Sequence, residues 1–162
     1  MSESSKPARS CGGCTACCKV FSISELAKPE GVWCKHCNVG SGCKIYARRP
    51  KECKDFRCMW LLGHGTEQER PDKTRLVLDF IRDVEHGPFV ALRVTELTLG
   101  TLQSPVAKRE MARALSQGYF VYRVTALGKE SILVRKGEPI PPVAKALIDL
   151  GIEAFEAPVM VR

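Results

Sequence analysis

Nine cysteines, Cys11, Cys14, Cys17, Cys18, Cys34, Cys37, Cys43, Cys53 and Cys58, crowd the first third of the chain, and none occurs from Met59 to Arg162. Thiolate sulfur is the preferred ligand of zinc and of iron–sulfur clusters, and a CxxC spacing brings two sulfurs to one ion at little conformational cost. A disulfide scaffold would staple a whole small chain with an even number of cysteines. Here the count is odd and the distribution one-sided, so the expected chemistry is metal ligation.

The cysteines fall into three groups. Cys11-Gly12-Gly13-Cys14-Thr15-Ala16-Cys17-Cys18 puts four thiols into one short run. On a helix, at about 100° per residue, Cys11, Cys14 and Cys18 would share one face, with Cys17 further round. Gly12 and Gly13 equally permit a tight knuckle. Cys34-Lys35-His36-Cys37 is a clean CxxC followed by Gly42-Cys43. Cys53 and Cys58 are five residues apart, about 140° on a helix, so an unbroken helix cannot aim both at one ion. Either the helix opened by Pro50 ends near Cys58 or the two serve different ends. Nine thiols can fill two tetrahedral sites with one left over, or one four-iron cluster with several left over. His36 is a minor candidate ligand, and His64 and His86 read as solvated turn residues.

The run Cys11-x-x-Cys14-x-x-Cys17-Cys18, followed by Gly42-Cys43-Lys44-Ile45-Tyr46, Arg49-Pro50, Cys53, Phe56, Cys58 and Trp60, resembles the CxxCxxCC cysteine-cluster family of zinc- or iron-chelating domains, the YkgJ type. The resemblance covers roughly residues 11–62. It implies a bacterial, cytoplasmic metal-chelating domain. The family commonly carries Gly after the second cysteine, where this chain has Thr15, so the local turn is expected to differ. The family is also similar to a flagellin lysine methylase. No methyl-donor motif occurs outside the cysteine region, and that activity is not carried across.

Around the thiols, Tyr46, Phe56 and Trp60 are expected to wall the site from water. Arg48, Arg49 and Arg57 could donate to sulfur or to a bound anion. The formal charge of +7 sits mainly in the cysteine half, where residues 1–70 carry 12 Lys or Arg against 7 acidic residues. Its plain reading is compensation for thiolate charge. The basic string Lys44, Arg48, Arg49, Lys51, Lys54 and Arg57 supports a zinc-stabilised nucleic-acid-binding module as a further alternative. Glu52 and Asp55 interrupt the string and no stacking platform is evident, so nucleic acid is not the expected partner.

The elements that must position these residues follow from periodicity. Residues 1–10 read as a frayed tail without an apolar signal region, 11–63 as the cysteine module, and 64–73 as a polar linker. No run approaches about 18 apolar residues, so no membrane helix is expected. In 74–162, Leu76, Leu78 and Phe80, and then Val90, Leu92 and Val94, alternate as strands around a Glu85-His86-Gly87-Pro88 turn. Ser104 caps a helix begun by Pro105 and stopped by Gly118, with Val106, Met111 and Leu115 inward. Phe120–Val124 and Ile132–Arg135 pair around Gly128-Lys129. Pro141-Pro142 opens a helix with Val143, Leu147 and Leu150 on one stripe.

The expected fold is therefore α+β: an N-terminal cysteine-rich metal module packed on a small antiparallel sheet with two helices on one face. The expected function is chelation of zinc, or of iron, through the nine cysteines, with an unnamed protein partner for the remaining surface. The alternative is an iron–sulfur protein holding a [4Fe-4S] cluster with redox or methyl-transfer-associated activity.

Overall fold

The computed structural model describes residues 9–83 and 87–158. Residues 1–8 of the tail expected over 1–10, and Glu85 and His86 of the expected turn, lie outside them.

The cysteine-bearing segment is built from very short elements. A tight turn at Cys11–Cys14 leads into a single helical turn, α1 (Cys17–Val20). Two-residue strands β1 (Cys37–Asn38) and β2 (Gly42–Cys43) pair antiparallel, with Cys37 opposite Cys43. Helix α2 (Lys51–Asp55) follows Pro50 and ends where Phe56 turns extended. The residues read as a linker are ordered by side-chain caps. Thr66 and Glu69 form a reciprocal capping box over a 3₁₀ turn, and Pro71 opens α3 (Pro71–Thr74).

Beyond them a five-stranded sheet takes the chain in sequence order: β3 (Leu76–Asp83), β4 (Gly87–Glu96), β5 (Phe120–Val124), β6 (Glu130–Arg135) and β7 (Glu153–Ala157). The sheet is mixed, which corrects the antiparallel expectation. β3–β4 and β5–β6 are antiparallel, but β4–β5 and β6–β7 are parallel. Helices α4 (Pro105–Ser116) and α5 (Pro142–Asp149) are the crossovers that parallel neighbours require.

The two helices lie on opposite faces, a second correction. β6 runs opposite to β4 while the sheet keeps growing in one direction, so crossovers of one hand land on alternate sides. Ala107, Met111, Ala114 and Leu115 of α4 pack on Leu76, Leu92, Val94 and Val121. Ala144 of α5 packs with Ala91, Phe120 and Ile132 on the other face. Ser104 caps α4 by accepting from the Ala107 amide at 3.2 Å. Leu150, expected on the buried stripe of α5, is 82% exposed, because the helix ends at Asp149 and Gly151 turns the chain into β7.

The cysteine segment sits on the α5 face at the β3 edge. Ala16, Val20, Cys58 and Trp60 bury against Val77 and Leu97. Among the described residues no helix is long and apolar enough to cross a membrane.

Candidate metal centre

Glycine chemistry fixes the first knuckle. Gly12 takes φ +51°, and the Cys14 amide donates to the Cys11 carbonyl at 2.8 Å. A Cβ on Gly13 would stand 2.9 Å from the Gly40 carbonyl oxygen, so the first cysteine turn and the β1–β2 turn touch through backbone. Cys11 to Cys18 is therefore a knuckle followed by one helical turn, not a continuous helix. Thr15, where the resembled family has Gly, is buried. Its hydroxyl accepts from the Gly40 amide at 3.1 Å and contacts the Cys37 sulfur.

All nine cysteines are free thiols. A cavity of about 170 Å³ is lined by Cys11, Cys14, Cys17, Cys18, Cys34, Cys43 and Cys53. A smaller void of about 40 Å³, below Trp60, is lined by Cys11, Cys14, Cys17, Cys53 and Cys58. Cys37 lines neither of them but lies against Cys18. Cys18 touches Cys17 as well. Among the described residues no three Cys, His, Asp or Glu side chains already share a point at coordinating distance. A bound ion would have to draw the thiols inward, across gaps the two voids leave open.

The surroundings oppose one another electrostatically. Cys18 is pushed far up by its contact with Cys17 and by burial. Burial, reinforced by Cys18, pushes Cys37 up to about 11. Burial also raises Cys14, Cys53 and Cys58. Against this, the Cys14 sulfur accepts the backbone amides of Ala16 and Asp72, and the Cys58 sulfur accepts those of Leu61 and Trp60. Such donors favour thiolate.

Lys28 is the cation in the cavity wall. It is only 7% exposed, and its ammonium donates to the carbonyls of Lys19 (3.0 Å), Pro29 (2.9 Å) and Phe21. Burial lowers its pKa, and the thiols of Cys34, Cys18, Cys17 and Cys53 raise it. The sheet contributes Arg93, held by Asp79 and stacked over Phe21 at 4.5 Å. Phe21 in turn meets Phe56 at 4.5 Å. Lys28 lies in an unremarkable polar stretch and nothing in the sequence marks it. Arg93 is legible only as a charge within an alternating strand.

Of the expected aromatic wall, Phe56 lines both voids, Tyr46 carries Arg49 over its ring at 3.9 Å, and Trp60 is buried over the smaller void. Arg9 clamps that end by donating to the carbonyls of Trp60, His64 and Gly65. Arg48 and Arg57 are exposed, His36 lines neither void, and His64 is exposed.

No protein-family model matches the chain, and no curated protein and no solved structure matches it.

Proposed function

We propose that the chain is a metal-binding protein that chelates zinc or iron through its N-terminal cysteines, in a reducing compartment such as the cytoplasm. Lys28 is the observation that carries this reading. An ammonium buried without an opposite charge is costly. The groups that raise its pKa most are the thiols of Cys34, Cys18, Cys17 and Cys53. Its burial is compensated when those sulfurs are thiolates, and crowded thiolates repel one another unless a cation sits between them. Amide donors to Cys14 and Cys58 support the same state.

Zinc is the first choice, since it takes tetrahedral thiolate sites and contributes folding energy directly. The cavity of about 170 Å³ favours a second reading, an iron–sulfur cluster, because one ion with four sulfurs needs far less space. Elemental analysis of protein purified anaerobically without added metal tests both. Colourless material with near-stoichiometric zinc is expected, and brown material that bleaches on reduction selects the cluster. Reduced, metal-stripped chain that keeps its native fold and binds neither metal overturns the proposal.

A further inference from the structure

We propose that the cleft outside the carboxyl ends of β4 and β5 binds a free α-amino acid with a branched aliphatic side chain. The cleft contains no cysteine, and its occupant is independent of chelation.

The sheet makes the cleft. β4 and β5 run parallel, with Thr95 opposite Val124 in the last matched pair, so both strands end at the same edge. The chain then leaves β4 for α4 on one face and leaves β5 by a tight turn into β6. Connections that part in this way open a crevice at the strand ends, where sheets with parallel strands bind small ligands. Here the crevice holds about 330 Å³, between Thr95 and the 125–128 turn on one side and Lys19 and residues 30–32 on the other. That is room for a small metabolite. Glu96, 2% exposed, fixes the sheet side of it. Its carboxylate accepts the Leu102 amide at 3.0 Å and the Ala126 amide at 3.1 Å, tying the loop after β4 to the turn after β5.

Three observations name the ligand. Thr95, 3% exposed, stands in the wall, and its hydroxyl is buried with no hydrogen-bond partner among the described residues. A buried hydroxyl left unpaired costs stability, and a polar ligand group beside it removes that cost.

The charges come next. Lys19 donates to the Leu97 carbonyl at 2.9 Å, which leaves N–H groups of its ammonium to spare, and Glu30 brings a carboxylate to the same cleft. Among the described residues no ion pair joins the two. One molecule carrying both a carboxylate and an ammonium answers both charges, and its carboxylate takes the Thr95 hydroxyl as a second donor.

The apolar surface sets the side chain. Val32 and Leu127, 52% and 81% exposed, come from distant parts of the chain and line the same cleft. A branched aliphatic group lying between them takes that surface out of water.

Equilibrium dialysis of the full-length chain as purified against radiolabelled L-leucine tests the proposal. One saturable site is expected. Leucinamide, which lacks the carboxylate, and 4-methylpentanoate, which lacks the ammonium, should each compete at least about tenfold more weakly than unlabelled leucine. Lys19→Gln keeps a donor for the Leu97 carbonyl and should weaken binding about tenfold. Thr95→Val should weaken it about fivefold while leaving the melting temperature unchanged or raised, because the hydroxyl removed has no partner in the fold. Absence of saturable leucine binding at millimolar concentration overturns the proposal. So does competition by leucinamide or 4-methylpentanoate as strong as that of leucine. A Thr95→Val chain that binds leucine normally but melts lower makes Thr95 a packing residue and overturns the site as drawn. None of these readouts measures metal, so each of these failures leaves chelation standing.

Discussion

Asp79 and Arg93 stand directly opposite on β3 and β4 and join side-on, Nε to Oδ1 at 2.9 Å and Nη2 to Oδ2 at 2.7 Å. The pair lies on the face that carries the cysteine segment. It holds the guanidinium over Phe21, which leans on Phe56 at the thiol cavity. A sheet residue thereby fixes the aromatic wall of a site whose thiols all come from another part of the chain.

Asp79→Asn should therefore act at both ends of this relay. Asp79 is buried, and a hydrogen bond to a charged group is worth about 2 kcal/mol, so the urea midpoint should fall by that equivalent. Metal affinity should fall with it, because Phe21 loses the group that holds it. A lowered midpoint with unchanged metal affinity would show that Arg93 serves only the sheet.

Lys28→Met separates a structural lysine from a counter-charge. Its three carbonyl partners are backbone groups of the described chain, so their loss costs the same with or without metal. The attraction to thiolates exists only when thiolates are present. The substitution should thus destabilise loaded protein more than stripped protein, and weaken metal binding at least about tenfold, or about 1.4 kcal/mol. Equal penalties in the two forms would remove Lys28 as support for chelation.

Glu69 gives a pH dependence with a definite sign. The Thr66 amide and Arg109 hold its carboxyl below the usual carboxylate value. A depressed folded pKa contributes stability that is present above the unfolded value and lost as pH falls through the folded one. The melting-temperature difference between native chain and Glu69→Gln should be largest near neutral pH. It should shrink below about pH 4. A difference that stays constant from pH 7 to pH 3 would contradict the assignment.

Much of the second half was legible because its signals are local. Ser104-Pro105 and Gly118 bracket α4, and alternation marks β3 and β4. The mixed sheet was missed because the parallel pairing of β4 with β5 depends on where α4 packs, and no window of sequence contains that. β7 escaped notice because Glu153, Ala154, Phe155 and Glu156 are all exposed on an edge strand and show no buried alternation. At the candidate site the donors were legible as residue types and their placement around the two voids was not. Cys53 and Cys58 were separable by helical angle alone. Lys28 and the amides under Cys14 and Cys58 are products of tertiary placement.

Gly12 and Gly13 give the sharpest test of the knuckle, because adjacent glycines are required there for different reasons. Gly12 has a left-handed φ of +51° and open space around its Cβ position. Alanine there costs only backbone strain, about 1–2 kcal/mol. Gly13 has no left-handed φ, but its added Cβ would meet the Gly40 carbonyl at 2.9 Å, and that atom is backbone. Relief requires the Cys11–Cys14 turn to move away from the β1–β2 turn that carries Cys37 and Cys43. Gly13→Ala should therefore lower metal content, measured by elemental analysis, well below that of Gly12→Ala at comparable loss of melting temperature. If Gly12→Ala loses as much metal as Gly13→Ala, the close approach of the two turns does not assemble the site.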